Sequence, residues 1–402
     1  MTARRLLELQ EYEARRFDAD EIPAGAGEYL HQKYRDQIEV NPPTFKTRGH
    51  WELVAKGYVG YIPVDAELGV ALRPKVPLGN LFRMLEYAYE IGEFRDEDRS
   101  LFGAASLEEF YERLANVLAK RVLNRARRGF YRNYVEERDC LPFVRGALDM
   151  PAVLRRHWEV RLPCRFEDHT ADVEENQILA WTLRRVARAG ACSERTLPTV
   201  RSAYRSVKGA ASLRPFPPEA CAGRLYNRLN DDYRPMHALC RFFLENTGPL
   251  HEEGERSMLP FLVDMSLLFE RFVARWLQAN RRNRFDVRVQ DCVRIGESGE
   301  FAFRIDLVIC DCTSGKALAV LDTKYKTAES PTQADVQQVV AYAIAKKCSK
   351  AILVYPRALA HPLAAHVGNI WVRTLHFPLE GDLEANGEKF FSELIREVCL
   401  TE

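Results

Sequence analysis

The sequence has no apolar run that approaches the length of a membrane-spanning helix, which needs about 20 predominantly apolar residues. Its first ten residues, MTARRLLELQ, reach charged side chains too early to supply the apolar core of a secretory signal. A composition of 47% hydrophobic and 29% charged residues is that of an ordinary soluble globular protein. We therefore expect a cytoplasmic protein that makes no contact with a membrane.

Three patterns that mark common cofactor sites are also missing. The 10 cysteines include no CxxC pair, and the 9 histidines include no HxxxH or HExxH arrangement, so zinc chemistry is not expected. The cysteines are interpreted as reduced, buried thiols. No GxxxxGK[ST] segment is present, which argues against nucleotide binding by a P-loop.

What the chain does contain is a pair of apolar strands that carry charged residues. Phe301–Cys310 and Ala317–Lys326 are β-rich runs separated by the turn CTSGK, which predicts a hairpin. Asp306 lies in the first run, and Asp322 and Lys324 share one face of the second. Charges among Leu, Val, Ile and Ala are unfavourable unless they are paired or bind a ligand. The hairpin is therefore interpreted as a functional site.

A helix is predicted directly after the hairpin. Ser330 is expected to be its N-cap and Pro331 its first helical residue. Asp335, Gln338 and Tyr342 stand at i, i+3 and i+7 and share one face, which is polar where a buried helix would be apolar. Two carboxylates that converge with a backbone carbonyl suit Mg²⁺, and a nearby lysine can position a metal-bound water. The two strands and the helix thus predict one polar site.

These residues resemble the McrC subunit of McrBC-type restriction systems, within the PD-(D/E)XK nuclease superfamily. The family pattern reads approximately RPD, then LDTKYK, then DxxQxxxYA. This sequence has RID ending at Asp306, LDTKYK starting at Leu321, and the third motif over Asp335 to Ala343. Ile305 replaces the usual Pro, at a position that shapes the backbone and supplies no ligand. The segments GYVGYI, RPKVPLGNLFRMLEYAYE and DMSLLFERFV also resemble McrC proteins, so the resemblance covers most of the chain.

The resemblance implies a Mg²⁺-dependent endodeoxyribonuclease that hydrolyses DNA phosphodiester bonds. In this interpretation Asp306 and Asp322 hold the metal together with the carbonyl of Thr323. Lys324 orients the attacking water.

Three further residues have expected roles in the same site. Gln338 helps to hold the site or the DNA backbone, with Tyr342 packing behind it. Glu270, in the helix before the first core strand, assists at the metal as a ligand or from the layer behind the ligands. A surface ion pair is the alternative interpretation of Glu270.

The same resemblance implies partners. They are an McrB-like AAA+ GTPase hexamer, whose GTP hydrolysis the chain would stimulate, and methylated double-stranded DNA of the 5-methylcytosine type. Two alternatives remain open at this stage. One is a catalytically silent adaptor that activates an AAA+ motor, and the other is a stand-alone nuclease that acts on RNA or branched DNA.

The expected fold class is α/β. It combines a C-terminal restriction-endonuclease-like PD-(D/E)XK core, a mixed sheet flanked by helices, with an N-terminal α+β domain containing a small β-barrel or sheet. The expected domains are a partner-docking domain over 1–150, a helical basic connecting region over 151–250 and the nuclease core over 251–402. Residues 4–35 give a weak signal of helix and loop. Helices are predicted over 78–91, 107–134, 177–189, 233–245, 262–279 and 388–398.

Two basic stretches accompany these elements. Arg184 to Arg214 holds eight basic residues and one acid, and Lys120 to Arg138 combines basic with aromatic residues. Either stretch is consistent with phosphate contacts or with an ordinary solvated helix face. Two interpretations of Arg145 and Asn176 also remain open: a functional role, or hydrogen bonding within a loop or cap.

Overall fold

The computed structural model describes residues 5–65, 67–91, 106–155, 158, 160–189, 192–248, 260–281, 285–295 and 301–399. The chain divides into two compact units: unit 1 combines Met1–Glu108 with Pro260–Glu402, and unit 2 is Glu109–Leu259. Unit 1 takes both ends of the chain because a strand after residue 260 pairs with a strand near residue 60. The functional division into 1–150, 151–250 and 251–402 stays a prediction.

The N-terminal part of unit 1 is built from short strands and two helices. In chain order they are β1 (Arg5–Gln10), β2 (Ala14–Phe17), α1 (Ala24–Lys33), β3 (Ile38–Asn41), β4 (Trp51–Ala55), β5 (Tyr58–Pro63), β6 (Leu68–Arg73) and α2 (Leu78–Tyr89). One sheet has the strand order β1-β6-β5-β10, where β10 is Phe261–Asp264, and another has the order β2-β4-β3. The predicted small barrel or sheet is thus a pair of small sheets that share one apolar core.

The first residues form more strand than their sequence predicts. The weak signal over 4–35 corresponds to two strands and one helix. β1 pairs in parallel with β6, so that Leu7 lies opposite Val70 and Leu9 opposite Leu72, and both leucines are buried. Because a distant segment supplies this pairing, local propensity alone does not identify the strand.

Gly60 allows β10 to approach the N-terminal sheet. Its φ of 139° lies in a region that side chains rarely adopt, and a Cβ there would overlap the carbonyl oxygen of Phe261. β10 pairs antiparallel with β5, with Leu262 opposite Gly60. The chain segment that precedes the candidate site is therefore attached to the N-terminal sheet.

Helix α8 (Met265–Asn280) starts immediately after β10. Asp264 caps it by accepting hydrogen bonds from the amides of Ser266 at 2.9 Å and Leu267 at 3.1 Å. The predicted helix start at residue 262 is wrong, because residues 261–264 pair as a strand.

The C-terminal part of unit 1 is a six-stranded sheet with helices. Its elements are β11 (Asp286–Ile295), β12 (Phe301–Cys310), β13 (Ala317–Thr323), α9 (Gln333–Lys346), β14 (Lys350–Tyr355), β15 (Ala364–Val367), β16 (Ile370–His376) and α10 (Leu383–Cys399). The strand order is β11-β12-β13-β14-β16-β15. β13, β14 and β16 run parallel and the other neighbours antiparallel, which confirms the predicted hairpin and mixed sheet. β15 was not predicted.

Helix α10 begins at Leu383, five residues before the predicted start at residue 388. Asp382 accepts hydrogen bonds from two amides of the first turn. Gly387 lies inside the helix, where a Cβ would overlap the ring of Trp276. The glycine therefore permits close packing of α10 on α8 and does not mark a helix boundary.

Unit 2 contains helices and a three-stranded sheet. Its elements are α3 (Leu107–Arg128), whose first two residues belong to unit 1, then β7 (Asn133–Leu141), β8 (Ala147–Leu148), α4 (Met150–Arg155), β9 (Leu162–Thr170), α5 (Glu174–Arg188), α6 (Leu197–Lys208) and α7 (Tyr233–Asn246). The sheet order is β7-β9-β8. The helix predicted to reach residue 134 ends at Arg128, because Gly129 has φ 90° and the chain then enters β7.

No helix in the described part of the chain is long and apolar enough to cross a membrane. The prediction that the cysteines are buried is wrong for Cys292 and Cys312, whose side chains are exposed.

Candidate active site

The two strands of the hairpin bring Asp306 and Asp322 next to each other. The antiparallel pairing of β12 and β13 has Leu307 opposite Leu321, so the two aspartates are the next residues on either strand. Both leucines are fully buried. The Oδ2 atom of Asp306 accepts hydrogen bonds from the amide of Thr323 at 2.9 Å and from its hydroxyl at 3.0 Å. The predicted convergence of the two carboxylates is therefore present in the fold.

Asp322 is a buried carboxylate, with an exposed fraction of 1%. Its Oδ2 atom lies 2.7 Å from the Nζ atom of Lys324, but this oxygen has no aligned hydrogen-bond donor. Burial and the nearby charge of Asp306 raise the pKa of Asp322 to about 7, against the opposing effect of Lys324. Apart from this ion pair the oxygen has no partner, so it can accept a further electropositive ligand.

Lys324 links the strand to helix α9. Its ammonium contacts Asp322 and donates a hydrogen bond to the Oε1 atom of Gln338 at 2.9 Å. The Nε2 atom of Gln338 donates in turn to the hydroxyl of Tyr342 at 2.7 Å. Burial alone would lower the pKa of Lys324, but the negative charge of Asp322 at 2.7 Å outweighs it and the pKa is raised. Lys324 is therefore a charged, oriented donor.

The start of α9 differs from its prediction. Thr332 is the N-cap and forms a reciprocal capping box with Asp335, so Ser330 and Pro331 precede the helix. Asp335 also binds the ammonium of Lys326. Burial would raise the pKa of Asp335, but the hydrogen bonds from Lys326 and Thr332 lower it. Asp335 thus anchors the helix beside the hairpin.

Glu270 of α8 approaches the site from the other side. Its Oε1 atom accepts a hydrogen bond from the Nε2 atom of Gln290 at 3.1 Å. Burial and the charge of Asp306 raise the pKa of Glu270. The described contacts of Glu270 are thus within the site, and not the surface ion pair of the alternative interpretation.

Gln290 was not predicted as a site residue. It lies in β11, where nothing in the sequence distinguishes it from any other polar strand residue. Its backbone φ of 50° and its hydrogen bond to Glu270 become visible only in the fold.

The donor atoms of the site suit a hard divalent cation. Among the described residues, no three or more His, Cys, Asp or Glu side chains are already arranged around a metal position. Mg²⁺, however, is usually bound by one or two carboxylates together with substrate oxygens and waters. Asp306 and Asp322 supply the carboxylates, and the unsatisfied Oδ2 of Asp322 is consistent with such a ligand. The residues therefore fit Mg²⁺ without a third preformed ligand.

Asn176 and Arg145 lie in unit 2. The Nδ2 atom of Asn176 donates to the carbonyls of Tyr131 and Ala171, and its Oδ1 accepts from the hydroxyl of Tyr233 at 2.6 Å. Asn176 is fully buried, so hydrogen bonding within the fold accounts for it.

Arg145 pairs with Asp168 at 2.7 Å and stacks over the ring of Phe166, with its guanidinium 4.1 Å from the ring centroid. These contacts hold the β7-β9-β8 sheet together.

The architecture and the site define a class of protein: an α/β chain whose mixed sheet carries an acid–lysine cluster between two strands and a polar helix. A model of the family described as McrBC 5-methylcytosine restriction system component matches residues 53–356, which is more than half of the chain. The chain belongs to this family.

One relative and one solved structure are also similar to the chain. The Type IV methyl-directed restriction enzyme EcoKMcrBC of Escherichia coli K12 is 23% identical over 211 residues, covering 50% of this chain and 58% of the relative. The chain therefore spans less than two thirds of that relative. A chain from the assembly of Thermococcus gammatolerans McrB AAA+ hexamers with bound McrC has a TM-score of 0.53 at 17% identity, covering 97% of this chain and 100% of that chain. This second likeness supports the fold.

Proposed function

We propose that this chain is the nuclease subunit of a modification-dependent restriction complex of the 5-methylcytosine type. It hydrolyses DNA phosphodiester bonds with Mg²⁺ on a PD-(D/E)XK core, coupled to an McrB-like AAA+ GTPase hexamer whose GTP hydrolysis it stimulates. The observation that carries this proposal is the cluster of Asp306, buried Asp322 and Lys324 at the end of the β12–β13 pairing.

Asp306, Asp322 and the carbonyl of Thr323 would hold the metal. Glu270 would either bind it as a further ligand or contact the residues that bind it. Bound there, Mg²⁺ supplies polarisation of the phosphate and a lower pKa for a coordinated water. The hydrogen bonds from Thr323 fix the carboxylate of Asp306.

Lys324 orients the attacking water and faces the charge that develops on the phosphate. Its contact with Gln338 limits the rotamers that the long side chain can adopt. The hydroxyl of Tyr342 holds Gln338 in turn. Lys324 is therefore positioned before substrate arrives.

Helix α6 is the best-supported surface for DNA in unit 2. Arg201, Arg205 and Lys208 stand at i, i+4 and i+7 on its exposed face, and none has an acidic partner among the described residues. The opposite face buries Val200 and Val207, so the orientation of the helix is fixed. Unpaired cations on one helix face suit the regularly spaced phosphates of DNA.

The surface can be tested through salt dependence. Replacing all three cations with Gln is expected to lower the slope of log K against log salt by roughly 3, at about 0.9 per phosphate contact. Neutralising the exposed residues Lys46, Lys347 and Lys389 removes the same charge elsewhere and is the matched control. Equal slopes for the two triple variants would exclude α6 as the DNA surface. An unchanged DNA slope together with weaker binding to the GTPase would assign α6 to the protein partner.

An apolar patch in unit 2 supports a protein partner. Phe143, Val144, Met150, Leu154 and Val160 have exposed fractions between 51% and 93%, and all lie in or beside the β7-β9-β8 sheet. Grouped large apolar side chains on a surface mark interaction sites. The N-terminal half of the chain docks on the GTPase through this patch.

The decisive experiment is cleavage of methylated and unmethylated plasmid with Mg²⁺, by the chain alone and with its genomic neighbour plus GTP. Wild type is compared with Asp322→Ala and with Asp311→Ala, which removes a half-buried acid from the hairpin turn. Partner-dependent cleavage lost only in Asp322→Ala is the expected result. Cleavage without the partner would favour a stand-alone nuclease. Stimulated GTP hydrolysis without any cleavage would favour the silent adaptor.

A further inference from the structure

Gln290 has a backbone conformation that is unusual for a strand. Its φ of 50° is in the left-handed region, which is unfavourable for a residue with a Cβ. It lies inside β11, far from either end of the strand. Residues held in such conformations persist only where the surrounding structure fixes them, and they concentrate at functional sites.

The sheet register places Gln290 against the acidic cluster. Val289 pairs with Leu307 and Asp291 with Ile305, so the same antiparallel register sets Gln290 opposite Asp306. The chain keeps this register on both sides of the left-handed residue. The unusual φ therefore changes the local direction of the strand without shifting its pairing.

The side chain of Gln290 reaches a second carboxylate. Its Nε2 atom donates to the Oε1 of Glu270 at 3.1 Å. Gln290 thus adjoins Asp306 through the sheet and contacts Glu270 through its amide. An amide fixes a carboxylate without adding a positive charge that would compete with a cation for it.

We propose that Gln290 is a positioning residue, which holds the Glu270 carboxylate next to the Asp306 and Asp322 pair proposed to bind Mg²⁺. This inference rests on the proposed function. Partners that orient metal ligands in this way typically contribute ten- to a hundredfold to metal affinity.

Gln290→Gly separates this role from a purely structural one. Glycine adopts a φ of 50° freely, so the unfolding midpoint of the metal-free protein is expected to stay at or above that of wild type. Mg²⁺ affinity, measured by calorimetric titration of the full chain without DNA, is expected to fall on the order of tenfold. Gln290→Ala removes the same amide and keeps the backbone as unfavourable as it is in wild type, so it should lose the same affinity and be less stable than Gln290→Gly.

Gln278 provides a matched control, because its Nε2 donates from α8 to the carbonyl of Val287 in β11 at 3.2 Å. Gln278→Ala breaks a contact between the same two elements without touching Glu270. Its Mg²⁺ affinity is expected to equal that of wild type. Equal losses in Gln278→Ala and Gln290→Gly would overturn the positioning role, because helix packing alone would then explain both.

A double-mutant cycle tests whether Gln290 acts through Glu270. Glu270→Gln and the double variant with Gln290→Gly are expected to bind Mg²⁺ equally weakly. Independent, multiplicative losses would overturn the inference while leaving the nuclease proposal intact. Wild-type Mg²⁺ binding that does not depend on Asp322 would instead overturn the proposed function, and with it the role of Gln290.

Discussion

Asp322→Asn is expected to stabilise the metal-free protein at alkaline pH. The pKa of Asp322 is raised from 3.8 to about 7 because the carboxyl is buried beside Asp306. The folded state therefore holds a proton that the unfolded chain releases near pH 4. The favourable contribution of this proton is complete below pH 4 and is lost as the pH rises to 7. Asparagine resembles the protonated acid and cannot ionise.

The magnitude follows from the same shift. Over this window the free energy of unfolding of wild type falls by about 1.4 kcal/mol per pH unit relative to that of Asp322→Asn. The total loss is roughly 4 kcal/mol. From pH 5 to pH 8 the difference is about 3 kcal/mol, which corresponds to about 6–12 °C in the unfolding midpoint of a unit of this size.

The assay is thermal unfolding in EDTA at pH 5, 6, 7 and 8, with the midpoint of each variant subtracted from that of wild type. Asp311→Asn is the control, because its carboxylate is exposed and hydrogen bonds from Ser314 lower its pKa. That variant should show no gain at pH 8. If the difference between Asp322→Asn and wild type is the same at pH 5 and pH 8, the raised pKa is refuted.

Two further predictions concern packing and buried polarity. Gly387→Ala is expected to destabilise unit 1 by about 1–3 kcal/mol, because the added Cβ overlaps the Trp276 ring. The matched change Gly79→Ala, in a helix with nothing near the added Cβ, should stabilise by about 0.5–1 kcal/mol; equal midpoints for the two variants would contradict the packing. Asn176→Ala removes the acceptor for the buried hydroxyl proton of Tyr233 and the side-chain donor to the carbonyl of Tyr131, and should cost about 2–4 kcal/mol in urea unfolding of unit 2, whereas a loss below 1 kcal/mol would point to a role outside the fold.

The hairpin and the polar face of α9 were predictable because their signals are local. Asp322 and Lys324 are two residues apart in a strand, and Gln338 and Tyr342 are four apart in a helix, so spacing alone sets their faces. The contact between Lys324 and Gln338 follows from these two faces meeting.

Other features depend on segments far apart in the sequence. β1 is a strand because β6 pairs with it. In the sequence Gly387 is typical of a helix boundary. Only the structure shows that the Trp276 ring lies where its Cβ would be. The hydrogen bond from Gln290 to Glu270 accompanies a φ of 50° at Gln290. A glutamine in a strand sequence does not predict such an angle. Local patterns therefore predicted that the hairpin and α9 residues lie together, whereas the contacts that support them required the fold.

The pairing of β5 with β10 has a consequence for synthesis of the protein on the ribosome. Unit 2 is encoded as one continuous stretch between the two parts of unit 1. It can therefore fold while the first part of unit 1 still lacks β10 and the six-stranded sheet. The acids of the candidate site all come from the part made last, so a nascent chain released early would lack this site. The order of translation thus completes the candidate site only after all of unit 2 has been made.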